Sequence, residues 1–231
     1  MRPSRFRSRV WATCCLGPTS APSRLGRQSP LPRILSRGNF LMRWTPFLIS
    51  ATLVLLPPSS AQSQTAASAH FRIQTTSSAD LKFLPRAFKA LEKARKDLIA
   101  LKLNPPGRVT VIVHPTLEHF QKTLDAPQYE AARANRKRSQ IDTQRFVALE
   151  EHGGLEQTLR HELFHLAQPE GWPRWKAEGS AVRFSGERLT ASPISGISEE
   201  KLEKLLGNPP SRDLLARAMA TAARWVAEDH P

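Results

Sequence analysis

Cysteine is almost absent from the 231-residue chain: Cys14 and Cys15 are the only two, and none follows them. A disulfide framework therefore cannot hold a folded region together, and a packed core has to do so. Tyrosine occurs once, at Tyr129. Acidic residues are missing from residues 1–61, which carry nine arginines and no lysine. The formal charge of +14 invites a nucleic-acid partner, but its location argues against one. Outside residues 1–61 there remain 25 basic and 20 acidic residues, a net of +5 that is ordinary for a soluble domain. No basic stripe interleaved with aromatics and no nucleic-acid motif occurs, so no nucleic-acid partner is expected. The apolar run at residues 44–56 is thirteen long, too short to span a bilayer. No internal repeat is visible.

The length suits one modest domain plus an extra segment. Residues 1–41 are rich in Arg, Ser and Pro without apolar periodicity. They read as a disordered basic leader or as an extension from a start placed too far upstream. Met42-Arg43 then precedes the apolar run, and small residues Ser59 and Ala61 stand three and one positions before a cleavage point. These are the marks of a secretory signal peptide over residues 42–61. The same Arg-rich, acid-free segment also fits an organellar transit peptide, and an uncleaved anchor is a third option. Cleavage after Ala61 would leave 170 residues with no cysteine and no stable membrane span. An extracytoplasmic location, periplasmic or secreted, is the expectation. Residues 62–69 read as a polar linker and residues 70–231 as the folded domain.

That domain is organised around residues 158–168, TLRHELFHLAQ. His161-Glu162-Leu163-Phe164-His165 is an H-E-x-x-H motif. Each helical residue turns about 100°, so His161 and His165 present two imidazoles on one face. Two ligands of a tetrahedral zinc need that placement. Glu162 stands about 60° round from His165, on the side where it can act as general base on a water in the open position. Leu155, Leu159, Leu163 and Leu166 form an apolar stripe on the opposite side. The plain alternative is a pair of solvated surface histidines.

A third ligand is available in residues 173–181: Glu178, thirteen positions after His165. On a helix it shares a face with Trp175, Ala181 and Val182, while Lys176 and Arg183 point to water. A carboxylate on an apolar face is costly unless it is paired or holds a metal. Pairing with an arginine is the alternative, and Glu170, between Pro169 and Gly171, is the rival ligand. Gly179 and Ala181 are small enough to let this helix lie close on the histidine helix.

Arg160-His161-Glu162-Leu163-Phe164-His165 together with the pattern P-x-W-x-x-E-G-x-A at residues 173–181 resembles the gluzincin zinc peptidases, specifically the peptidase MA-like group. The resemblance covers roughly residues 71–187, with the specific motifs confined to residues 160–181. It implies Zn2+ held by His161, His165 and Glu178, with Glu162 as general base. The chain departs from the family at Lys176, where an apolar residue is usual, and at Val182, where many members place an acidic residue that orients a ligand histidine. The metzincin pattern is excluded, because no histidine occupies Gln168 or Gly171.

Patterning gives the rest. Strands are expected at residues 70–75, 108–114, 139–142 and 145–149. Helices are expected at 84–103, 115–124, 173–185, 198–206 and 211–228, with Ser211 as an N-cap. Residues 126–137 read as a mobile connection or weak helix. Strands first and helices later imply an α+β fold, a small mixed sheet followed by a helical part that carries the zincin helix and the second ligand helix. The strand at 145–149 would be an edge that binds extended peptides. His114 reads as a satisfied loop histidine, His152 and Tyr129 as candidates to stabilise an oxyanion, and Trp172 and Trp175 as packing residues.

Two functions from different classes are open. One is a secreted zinc metallopeptidase acting on a peptide or protein substrate, with cell-wall-associated substrates among the options. The other is a non-catalytic zincin-fold envelope protein that binds peptidoglycan or a wall-remodelling partner. The intact Glu162 favours the enzyme.

Overall fold

The computed structural model describes residues 63–127 and 129–228; the expected leader and signal peptide lie outside the described residues. The architecture is α+β. Strand β1 (Gln64–Ala67) pairs antiparallel with β2 (Phe71–Thr75), and β2 pairs parallel with β3 (Val109–Val113). β5 (Gln140–Thr143) lies parallel to β3, and β4 (Ala132–Asn135) closes that edge antiparallel to β5. The order across the sheet is β1-β2-β3-β5-β4.

Strand alternation builds one apolar face. Phe71 and Ile73, Val109, Val111 and Val113, and Ile141 are all buried in a single cluster. Helix α2 (Leu84–Ala100) adds Leu91, Ala94 and Leu98 to that cluster. Helix α5 (Leu155–Ala167) adds the expected stripe of Leu155, Leu159, Leu163 and Leu166, and lies over β4 and β5. Each fully buried leucine contributes about 1.5–3 kcal/mol, so the stripe holds the motif helix to the sheet edge.

Helices α6 (Arg174–Ser185), α7 (Glu199–Gly207) and α8 (Arg212–Ala227) enclose a second core of Trp175, Val182, Leu202, Leu206, Leu215 and Met219. Ser211 caps α8 as expected, its hydroxyl accepting from Leu214 N at 3.2 Å.

Three segments differ from the sequence expectation. The polar linker contains β1. Residues 126–137 contain β4, whose small Ala132 and Ala134 are buried, Ala134 in the same cluster as the α5 leucines, while Arg133 and Asn135 are half-buried; tertiary packing overrides the helix preference of alanine there. Residues 145–149 belong to helix α4 (Phe146–Glu151), not to a strand. Buried Asp80, on the short helix α1 (Ser78–Leu81), accepts from Val147 N at 3.1 Å and from Arg145 Nε at 2.8 Å. This cap comes from 67 positions away, so no local signal announces it. Phe146 and Leu149, three apart, are both buried, as a helix requires. The sheet edge beside the motif helix is therefore β4. The remaining helix, α3 (Leu117–Leu124), lies within the expected residues 115–124.

Ala181 meets the α5 leucines as expected, but Gly179 faces α8. A Cβ on Gly179 would stand 2.3 Å from the backbone oxygen of Ala222. Gly179→Ala would ordinarily favour a helix. Here it is expected to cost about 1–3 kcal/mol through overpacking, lowering Tm by roughly 3–10 °C in a thermal melt. An unchanged or raised Tm would contradict the close crossing of α6 and α8.

Candidate metal centre

Two helices bring three side chains to one point. His161 and His165 stand one turn apart on α5, their ring centroids separated by 4.7 Å. Glu178 enters from the middle of α6. Its Oε2 lies 3.4 Å from Nε2 of His161 and 3.5 Å from Nε2 of His165. One ligand atom from each residue lies within 4.8 Å of the others, and all three residues are buried. These are not the surface histidines of the plain alternative: His161 is 0% and His165 1% exposed. Nε2 of each histidine and Oε2 of Glu178 have no hydrogen-bond partner among the described residues. Buried acceptors that converge without a donor fit a cation, and this group could hold a metal ion.

The far side of each ring is occupied. Nδ1 of His165 donates to Oε1 of Gln168 at 2.9 Å, which leaves Nε2 free to present a lone pair. Nδ1 of His161 lies 2.8 Å from Oε1 of Glu187. The ring N–H does not point along that line, so the contact is an ion pair rather than an aligned hydrogen bond.

Glu187 reaches His161 because α6 stops where it does. Gly186 takes a left-handed φ of 76°, and the N–H groups of Gly186 and Glu187 both return to the carbonyl of Val182 at 3.1 and 3.3 Å. Arg160, the residue before His161, fixes this end. It donates to Phe184 O at 2.9 Å and to Asp97 Oδ2 on α2 at 3.1 Å, with its guanidinium 4.7 Å from the Phe184 ring centre. Glu187 thus stands behind His161, while Val182 packs in the second core. The only sequence signal was a glycine stop followed by an acid, and that does not say where the turn folds back.

Electrostatics match this geometry. Burial favours a neutral His161, but the carboxylates of Glu187 and Glu178 outweigh it and raise its pKa well above the ordinary histidine range. Burial also pushes Glu178 up, yet His165 and His161 pull it down to about 2. Without a metal, the balancing positive charge is a proton on His161, so protons compete with metal for this centre. Glu162, fully buried beside them, is raised by burial to about 7 against the pull of both histidines. Neither of its oxygens has a hydrogen-bond partner among the described residues.

His165 and Glu178 line a cleft of about 980 Å³ together with Trp172, Arg133 and the 3-10 turn Arg136–Arg138. Glu170 also lines the cleft but does not join the metal group. Neither oxyanion candidate is in place. Tyr129 donates its hydroxyl to Pro209 O at 3.2 Å, and His152 is exposed at the end of α4. His114 is satisfied, held by Asp142 Oδ1 at 3.0 Å and His119 Nδ1 at 2.9 Å. Trp175 packs in the second core, its indole N–H donating to Glu199 at 2.9 Å.

Glu187→Gln removes the charge behind His161 while keeping its shape. It is expected to weaken divalent-metal affinity by about 10–100-fold, read by competition with a chromophoric chelator. Affinity equal to wild type would remove Glu187 from the centre. No family model, curated protein or solved structure matches the chain.

Proposed function

We propose that the protein is a zinc-dependent metallopeptidase of gluzincin type. The carrying observation is the pair of 3.4 and 3.5 Å separations between Glu178 Oε2 and the two imidazole Nε2 atoms. A tetrahedron with arms of about 2.1 Å has edges of roughly 3.4 Å, so the spacing suits zinc with two nitrogens, one oxygen and one open position. The ligand set of His161, His165 and Glu178 favours zinc over calcium or magnesium, which prefer all-oxygen cages.

When bound, the metal supplies a Lewis acid that polarises a peptide carbonyl and makes water more acidic. Glu162 takes the proton of the attacking water as its oxygen bonds to the carbonyl carbon. Glu162 then delivers that proton to the amide nitrogen as the C–N bond breaks. A carboxyl poised near neutrality suits both transfers. His165, turned by Gln168, and His161, backed by Glu187, hold the ligand nitrogens in place. The free edge of β4 borders the cleft, where an extended peptide can add as a strand. Extracytoplasmic action follows the signal-peptide expectation and is part of the same proposal.

Glu162→Gln preserves size but cannot accept the proton. It should still bind about one zinc per chain while peptide hydrolysis falls on the order of 10²-fold or more. His161→Ala/His165→Ala should lose both zinc and activity. Zinc-loaded wild type that cleaves nothing across a diverse peptide library and wall fragments, no better than Glu162→Gln, would favour the binding scaffold.

A further inference from the structure

We propose that the cleft selects peptides carrying acidic side chains, and that the turn Arg136–Arg138 reads them. This deepens the peptidase reading and rests on it for the peptide's path along β4. The turn follows β4 directly and lines the same cleft as His165 and Glu178. Its backbone is pinned. Asn135 Oδ1 accepts from Arg138 N at 3.2 Å, and Ser139 leaves the turn in a left-handed φ of 47°. Arg136 donates to the carbonyl of Gln168 at 2.7 Å, tying the turn to the residue that orients His165.

Charge accounting separates this turn from the rest of the wall. Most acids lining the cleft are engaged. Asp142 accepts from His114 and Gln140, Glu203 accepts from Trp175 N, and Glu178 belongs to the metal group. Asp125 has its own partner, which leaves Glu170 exposed in its turn. Arg133 is neutralised by buried Glu130. Among the described residues no carboxylate pairs with Arg136, Lys137 or Arg138, and Lys137 and Arg138 are exposed. Three consecutive cations without anions, fixed at the end of the edge strand, give that end of the cleft a positive potential. Such a field favours acidic side chains and speeds their arrival. Partly exposed charge contacts are individually weak, so three of them add up to a preference on the order of tenfold.

The test measures binding by fluorescence anisotropy on the zinc-loaded Glu162→Gln protein, with a labelled ten-residue peptide rich in Asp and Glu against its Asn and Gln counterpart. The acidic peptide is expected to bind on the order of tenfold tighter. The preference should shrink toward unity in about 0.5 M salt and in the Lys137→Glu/Arg138→Glu variant, whose fold is checked by circular dichroism. Equal binding of the two peptides, a preference unmoved by salt, or displacement of the acidic peptide by an oligodeoxynucleotide of equal charge at equal concentration would overturn the proposal. Acidic-peptide preference with no hydrolysis by wild type would sink the peptidase reading and support this one. Hydrolysis with no acidic preference would do the reverse.

Discussion

Among the described residues, five buried polar atoms without hydrogen-bond partners belong to side chains of α5 and α6: Nε2 of His161 and of His165, Oε2 of Glu178, and both oxygens of Glu162. Each such atom costs about 1–3 kcal/mol, so together they rival the whole stability of an ordinary domain, about 5–15 kcal/mol. A fold does not carry that load for packing. Apolar side chains of the same volume would fill the space more cheaply. A cation among Nε2 of His161, Nε2 of His165 and Oε2 of Glu178 would resolve their share of the cost, and the raised His161 and lowered Glu178 are the response of the centre when that cation is a proton.

The surrounding structure serves this constraint. Four leucines press α5 onto the sheet, leaving its opposite face to the two histidines. Gly179 lets α6 lie against α8 at a distance no side chain would permit, which sets the depth of Glu178 one residue earlier. Gly186 ends α6 in a left-handed turn that returns Glu187 to His161, and Arg160 ties that turn to α5 and α2. The same α5 also fixes the cleft, since Gln168 at its end orients His165 and accepts from Arg136. Metal placement and cleft shape are therefore coupled through one helix.

Sequence legibility follows the range of the interactions. Helical rotation alone placed His161, Glu162 and His165, because their relation is local to one helix. Glu178 was legible for a different reason: an acid on an apolar helix face is an anomaly that asks for a partner. The central strands β2, β3 and β5 announced themselves through β-branched or alternating residues. Helix α4 and strand β4 did not, because their causes are distant. One is capped by Asp80 and the other is an alanine-rich edge held by α5. Glu187 was missed because its position depends on a helix stop and a turn direction, and only the first of these is written locally. His152 was drawn toward the site by its place just before the motif helix and Tyr129 as the single tyrosine, and the chain carries both elsewhere.

The central claim is that a metal sits among His161, His165 and Glu178, and anomalous diffraction at the zinc edge tests it most directly. Crystals of the zinc-loaded protein are expected to show one strong anomalous peak bonded to Nε2 of His161, Nε2 of His165 and a Glu178 oxygen at about 2.0–2.2 Å, with Glu162 facing the open side and not bonded. A peak ligated by Glu170, His114 or Glu162 instead, or no peak between α5 and α6 at saturating zinc, would contradict the account.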